Sequence, residues 1–85
     1  MNKYKLIIEI WGNIDHGEDP NKAPFGMKKT YTEEANEIYE LQVFLRDFVD
    51  ENDLGAGNLV SAKVFENDQY IGDIFYNGNY KSKEK

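Results

Sequence analysis

The chemistry open to this chain is mostly that of carboxylates: sixteen Asp and Glu stand against ten Lys and Arg, one His and no Cys. Without cysteine there is no thiolate nucleophile, no disulfide and no thiolate zinc site. The single histidine and scattered hydroxyls assemble no nucleophile–base–orienter set. Carboxylates on a solvated surface also lack the burial that separates the pKa values of a catalytic pair. The chain therefore reads as non-enzymatic, with no catalytic residue assigned. Asp15-His16-Gly17-Glu18-Asp19 offers donors that suit a cation, but its spacing fits no ligand frame. Asp50-x-Asn52-x-Leu54-Gly55 begins like a calcium loop and then fails, with Leu54 at the fifth position and Ser61 at the twelfth. Gly55-Ala56-Gly57 follows a helix and leads into a strand, the reverse of a phosphate-binding turn. Neither a metal nor a cofactor is expected.

What sets the chain apart is where its charge lies. Thr32 to Asn52 (TEEANEIYELQVFLRDFVDEN) has the length and periodicity of a helix. Glu33 to Asp53 holds eight carboxylates and one base, Arg46, a balance of −7; the remaining eight acids and nine bases net +1 and complete the −6 of the whole. On a helical wheel, Glu33, Glu37, Glu40, Asp47 and Glu51 fall in a narrow arc bordering the apolar face. At a rise of ~1.5 Å per residue the row runs about 27 Å from Glu33 to Glu51. Like charges at i,i+4 weaken a helix by a few tenths of a kcal/mol per pair, so the row does nothing for the core. Carboxylates spaced like phosphates suit a groove that binds DNA or RNA, and in this the segment resembles the small acidic inhibitors encoded by phages. Tyr39 and Val43, on the otherwise polar side, and Trp11 are the candidate apolar anchors for a partner. Simple solvation accounts for the same acidic residues.

The secondary structure around these residues is legible from pattern. Tyr4 to Trp11 alternates, with Tyr4, Leu6, Ile8 and Ile10 on the core face and Lys5, Ile7, Glu9 and Trp11 on the other. Gly12 to Gly26, with three glycines and two prolines, is a long connection, and Met27–Tyr31 returns as a second strand. Thr30 and Glu33 have capping-box spacing and Thr32 is a competing cap, so the helix is expected from there. Its core face is Ala35, Ile38, Leu41, Phe44, Leu45, Phe48 and Val49, and Leu54-Gly55 reads as its glycine termination. Asn58 to Tyr76 is a hairpin turning at Asn67-Asp68-Gln69, in the register that sets Lys63 against Asp73, Ala62 against Ile74 and Phe65 against Ile71. Gly72 marks a bulge or the close approach of a neighbouring side chain. Asn77-Gly78 is a turn, and Asn79 to Lys85 is a short return or a free tail.

These elements make an α+β domain: ββαββ, a single four-stranded, mostly antiparallel sheet with one amphipathic helix across one face. Residues 1–80 form the domain and 81–85 a charged tail. In outline the layout resembles the immunoglobulin-binding domains of streptococcal surface proteins, which share the YKL-type first strand, the lone helix with a polar turn after it, and the closing hairpin. The Gly12–Gly26 loop departs from that pattern, and no function carries over. An apolar run of about six residues before Gly12 is too short for a signal peptide or membrane span, and the expectation is a cytoplasmic protein. The charge opposes direct nucleic-acid binding and favours a basic protein surface, such as that of a nucleic-acid-handling protein. A second reading is a small-ligand module, oligomeric, built from the long loop with Trp11, His16 and Phe25. Homo-oligomer formation is a further outcome should Tyr39, Val43 and Ile7 be exposed together.

Overall fold

The computed structural model describes residues 3–12, 17, 21–22 and 27–83. Among them five strands, one α-helix and a single 3-10 turn (Ala56–Asn58, between α1 and β3) run in the order β1 (Tyr4–Ile10), β2 (Thr30–Ala35), α1 (Ile38–Glu51), β3 (Leu59–Glu66), β4 (Gln69–Ile74) and β5 (Tyr80–Ser82). The sheet is antiparallel throughout, in the order β2-β1-β3-β4-β5. It thus has five strands where four were expected. The added strand takes in Lys81 and Ser82, from the segment read as tail. β2 and β3 flank β1 and run parallel to one another, so α1 connects them by crossing over β1, as a crossover between parallel strands requires.

One face of the sheet carries the core. Leu6, Ile8 and Ile10 of β1, Ala62 and Val64 of β3, and Ile74 of β4 are buried against Leu41, Leu45, Phe48 and Val49 of α1. The alternation of β1 resolves as read, and so does the helical core face from Ile38 to Val49; Ala35, read into that face, lies on β2 instead. The β3–β4 register also holds at Lys63↔Asp73, but a bulge after Val64 slips the remainder, so Phe65 faces Tyr70 and not Ile71. The slip follows from the turn: Asn67 and Asp68 both take positive φ (51° and 70°), a two-residue primed turn that ends one residue earlier than the expected Asn67-Asp68-Gln69, so Gln69 already pairs with Glu66.

The expected helix start is wrong. Thr30 to Ala35 is a strand, paired with β1 from Glu9↔Thr30 to Tyr4↔Ala35, and α1 begins at Ile38 with Glu37 as N-cap. The Thr30/Glu33 box and the Thr32 cap do not form. Tyr31 and Ala35 alternate onto the helix side of the sheet, and packing them there with a complete ladder outweighs the helix propensity of Glu-Glu-Ala. The Glu37 side chain makes no capping bond; instead the Glu40 carboxylate, in the first turn, accepts the Asn36 N–H at 3.2 Å.

The helix end differs too. Asp53, not Gly55, takes the left-handed position (φ 55°). Leu54 N–H donates to Val49 C=O at 2.9 Å and Asp53 N–H to Asp50 C=O at 3.2 Å, the paired bonds of a Schellman ending. Asp53→Gly is expected to stabilise the fold by ~0.5–1 kcal/mol, the relief of a left-handed side chain less the freedom glycine adds to the unfolded chain. A denaturant midpoint that fails to rise refutes it.

Candidate interaction surface

The sequence-predicted residues are distributed over three elements. Ring contacts fix the orientation of α1: Phe48 meets Tyr31 of β2 at 4.9 Å and Phe44 at 6.1 Å. The sector of α1 beside Phe44 therefore overhangs the β2 edge of the sheet. Glu40, Asp47 and Glu51 lie next to it within an arc of about 40° at ~100° per residue. All three are exposed, as is Glu37 at the cap. Glu33 is not on the helix. It lies on β2 opposite Leu6, on the helix side of the sheet and half-buried. The five candidate carboxylates are thus contributed by a helix flank and the neighbouring edge strand, in place of one unbroken helical row.

The C-terminal half of α1 is the electrostatic anomaly. Asp47, Asp50, Glu51 and Asp53 cluster where the helix dipole is already negative, and the last turn carries no base. Among the described residues the ion pairs are Lys3–Glu66 at 3.4 Å and Lys5–Asp68 at 4.0 Å, and neither touches α1. Arg46, the one base of the helix, packs its methylenes over Gly78: a Cβ there would stand 2.5 Å from Arg46 Cδ. Gln42 donates to Gly78 C=O at 2.8 Å and Tyr76 O–H to Leu54 C=O at 2.9 Å, so the 75–79 turn is fastened along this side. Between turn and helix runs an open groove of about 680 Å³, lined by Asp47, Asp50 and Asp53 together with Arg46, Val43 and Tyr76.

Tyr39 and Val43 are exposed at 70% and 39%, adjacent on the outer surface of α1. Trp11, 45% exposed, is elsewhere: it continues the Glu9 side of β1, shares a shallow pocket with Glu9, Lys29 and Val60, and donates from Nε1 to Gly57 C=O at 3.1 Å. Ile7 is half-buried on the sheet face away from the helix, so it forms no patch with Tyr39 and Val43. His16, Phe25 and all of the 15–19 run except Gly17 lie outside the described residues. Among those described, no group of three or more His, Asp or Glu is arranged to hold a metal ion, and no helix is long and apolar enough to cross a membrane.

Two features had no distinct signal. Asn58, read only as the first residue of the hairpin, is a buried strut: its side-chain carbonyl accepts Gly55 N–H and its side-chain amide donates to Trp11 C=O, both at 2.9 Å. On the open sheet face, Tyr70 O–H donates to Asp73 at 2.6 Å while Lys63 and Lys83 lie 5.9 and 5.6 Å from its ring centre. The bond to Asp73, with some burial, holds the phenol above its ordinary pKa, because the ionised form would lose that donor and face the carboxylate.

Comparison with protein-family models, curated proteins and solved structures found no match. Chemically, the surface offers clustered negative charge beside exposed apolar side chains, an arrangement suited to receiving Lys and Arg of another protein.

Proposed function

We propose that this is a non-enzymatic interaction protein that docks its acidic helix on a basic protein surface, as a small inhibitor of a nucleic-acid-handling protein. The observation that carries the reading is the clustering of Asp47, Asp50, Glu51 and Asp53 at the negative end of α1 with no base in the last turn. Each such charge costs the folded chain ~0.3–1 kcal/mol at low salt. A surface kept against that cost is accounted for by a cationic partner that neutralises it. Asp47 and Glu51 rise ~6 Å apart along the helix, Glu40 and Asp47 ~10.5 Å, a row a phosphate-binding groove can accept in place of a nucleic-acid backbone. Tyr39 and Val43 supply the apolar contact that charge alone does not.

The test is capture from the native host's lysate with the parent and with a variant carrying Lys at positions 37, 40, 47 and 51. The parent should retain nucleic-acid-binding proteins, in amounts that fall steeply with added salt. Undiminished capture by the charge-reversed protein rejects the reading.

A further inference from the structure

β2 is one edge of the sheet, and its pairing with β1 fixes which of its backbone groups face outward. Ile10 N–H donates to Lys29 C=O at 2.9 Å, continuing the β1–β2 register one step beyond Glu9↔Thr30. In an antiparallel pair, residues bonded to the partner strand alternate with residues whose N–H and C=O point away from it. Tyr31, Glu33 and Ala35 therefore share Lys29's phase and bond to β1, while Thr30, Thr32 and Glu34 present their N–H and C=O outward. Among the described residues no strand pairs with that outer side. An edge with outward N–H and C=O groups is a template for another strand; no proline or bulge interrupts β2 from Thr30 to Ala35, and what guards it is charge, Glu33 on the helix side and Glu34 on the other, which repels an acidic strand and admits a basic one.

The same edge lies beneath the acidic flank of α1. The Tyr31–Phe48 and Phe44–Phe48 contacts put that flank on the β2 side. A strand added here would run with alternate side chains under Glu40, Asp47 and Glu51 and beside Glu33, and the others beside Glu34 and the two threonines. Resting on the reading above, we propose that the partner engages by β-augmentation: an extended basic segment, with Lys or Arg at alternate positions, pairs with β2 from Thr30 to Glu34. The main chain supplies the pairing and the carboxylates of two elements select the charge. A second copy of this chain fits the edge poorly. Two-fold pairing of β2 with itself would set both helices on one face with their acidic flanks side by side.

The experiment is amide hydrogen exchange, read by NMR on the isotope-labelled full chain, with and without a short synthetic peptide alternating arginine and threonine. Free, the amides of Thr30, Thr32 and Glu34 should exchange quickly, and those of Tyr31 and Glu33 slowly. With peptide at low salt the three outward amides should slow by tenfold or more, in step with occupancy. Thr32→Pro, which removes an outward donor at an edge where proline is tolerated, should weaken peptide binding about tenfold while leaving the circular dichroism unchanged. Peptide binding that perturbs only α1, without protecting the three amides, overturns the augmentation and leaves the acidic-helix reading standing. Absence of binding at millimolar peptide overturns both. Protection that grows with protein concentration in the absence of peptide overturns it in favour of self-pairing.

Discussion

Gly72→Ala is expected to cost ~2–4 kcal/mol and lower the melting temperature by more than 10 °C. A Cβ at this position would lie 2.5 Å from the Lys81 carbonyl oxygen and 2.7–2.8 Å from the Tyr80 hydroxyl and ring. The ring could swing aside; the carbonyl belongs to β5 and cannot, since Gly72↔Ser82 and Ile74↔Tyr80 are rungs of the β4–β5 ladder. Relief therefore means peeling away the strand that closes the sheet, and with it the Lys83 N–H bond to Ile71 C=O at 3.0 Å. A chain this size has ~4–13 kcal/mol in all, so the loss is a large share of it. Adding Tyr80→Ala should recover only the part owed to the ring. A single variant that melts within about 2 °C of the parent would show that β5 is not held against β4 as described.

Gly72 is also where sequence reading worked best, because a glycine inside a strand pattern has few explanations. The packed face of β1, the core face of α1 and the Lys63↔Asp73 pairing were legible for a related reason: each is a periodic pattern that burial enforces along the whole element. The failures share a cause as well. Thr30 and Tyr31 were read into a strand, but from Thr32 through Glu33-Glu34-Ala35 the local signals favour a helix, and only the ladder with β1 makes a strand the better state there. Nothing within Glu33-Glu34-Ala35 announces that the strand continues past Tyr31. β5 is three residues long with one apolar side chain, too short for a period to show. Asp53 stands where glycine would be easier, so the nearby Gly55 drew the assignment to itself. For the candidate surface, the acidic residues were visible as composition. That Glu33 leaves the helix and joins the others from an edge strand follows only from the three-dimensional pairing.

The charge cluster makes a prediction that separates a functional surface from a merely soluble one. Replacing Asp47 and Asp50 with Asn and Glu51 with Gln should raise stability by ~1–2 kcal/mol at low salt, because each carboxylate opposes the helix dipole and its neighbours. The gain should shrink as salt rises to about 0.1 M and beyond, where the screening length drops to ~10 Å and less. Partner capture should fall at least tenfold in the same variant, since the charges that burden the free protein are those a cationic surface would neutralise. Denaturant midpoints at two ionic strengths and a capture assay measure both sides. A variant that is more stable yet captures as well as the parent reduces the cluster to a solubility device. One that is less stable at every salt concentration would mean that the three carboxylates are held by favourable contacts within the chain, and repulsion could then no longer argue for a partner.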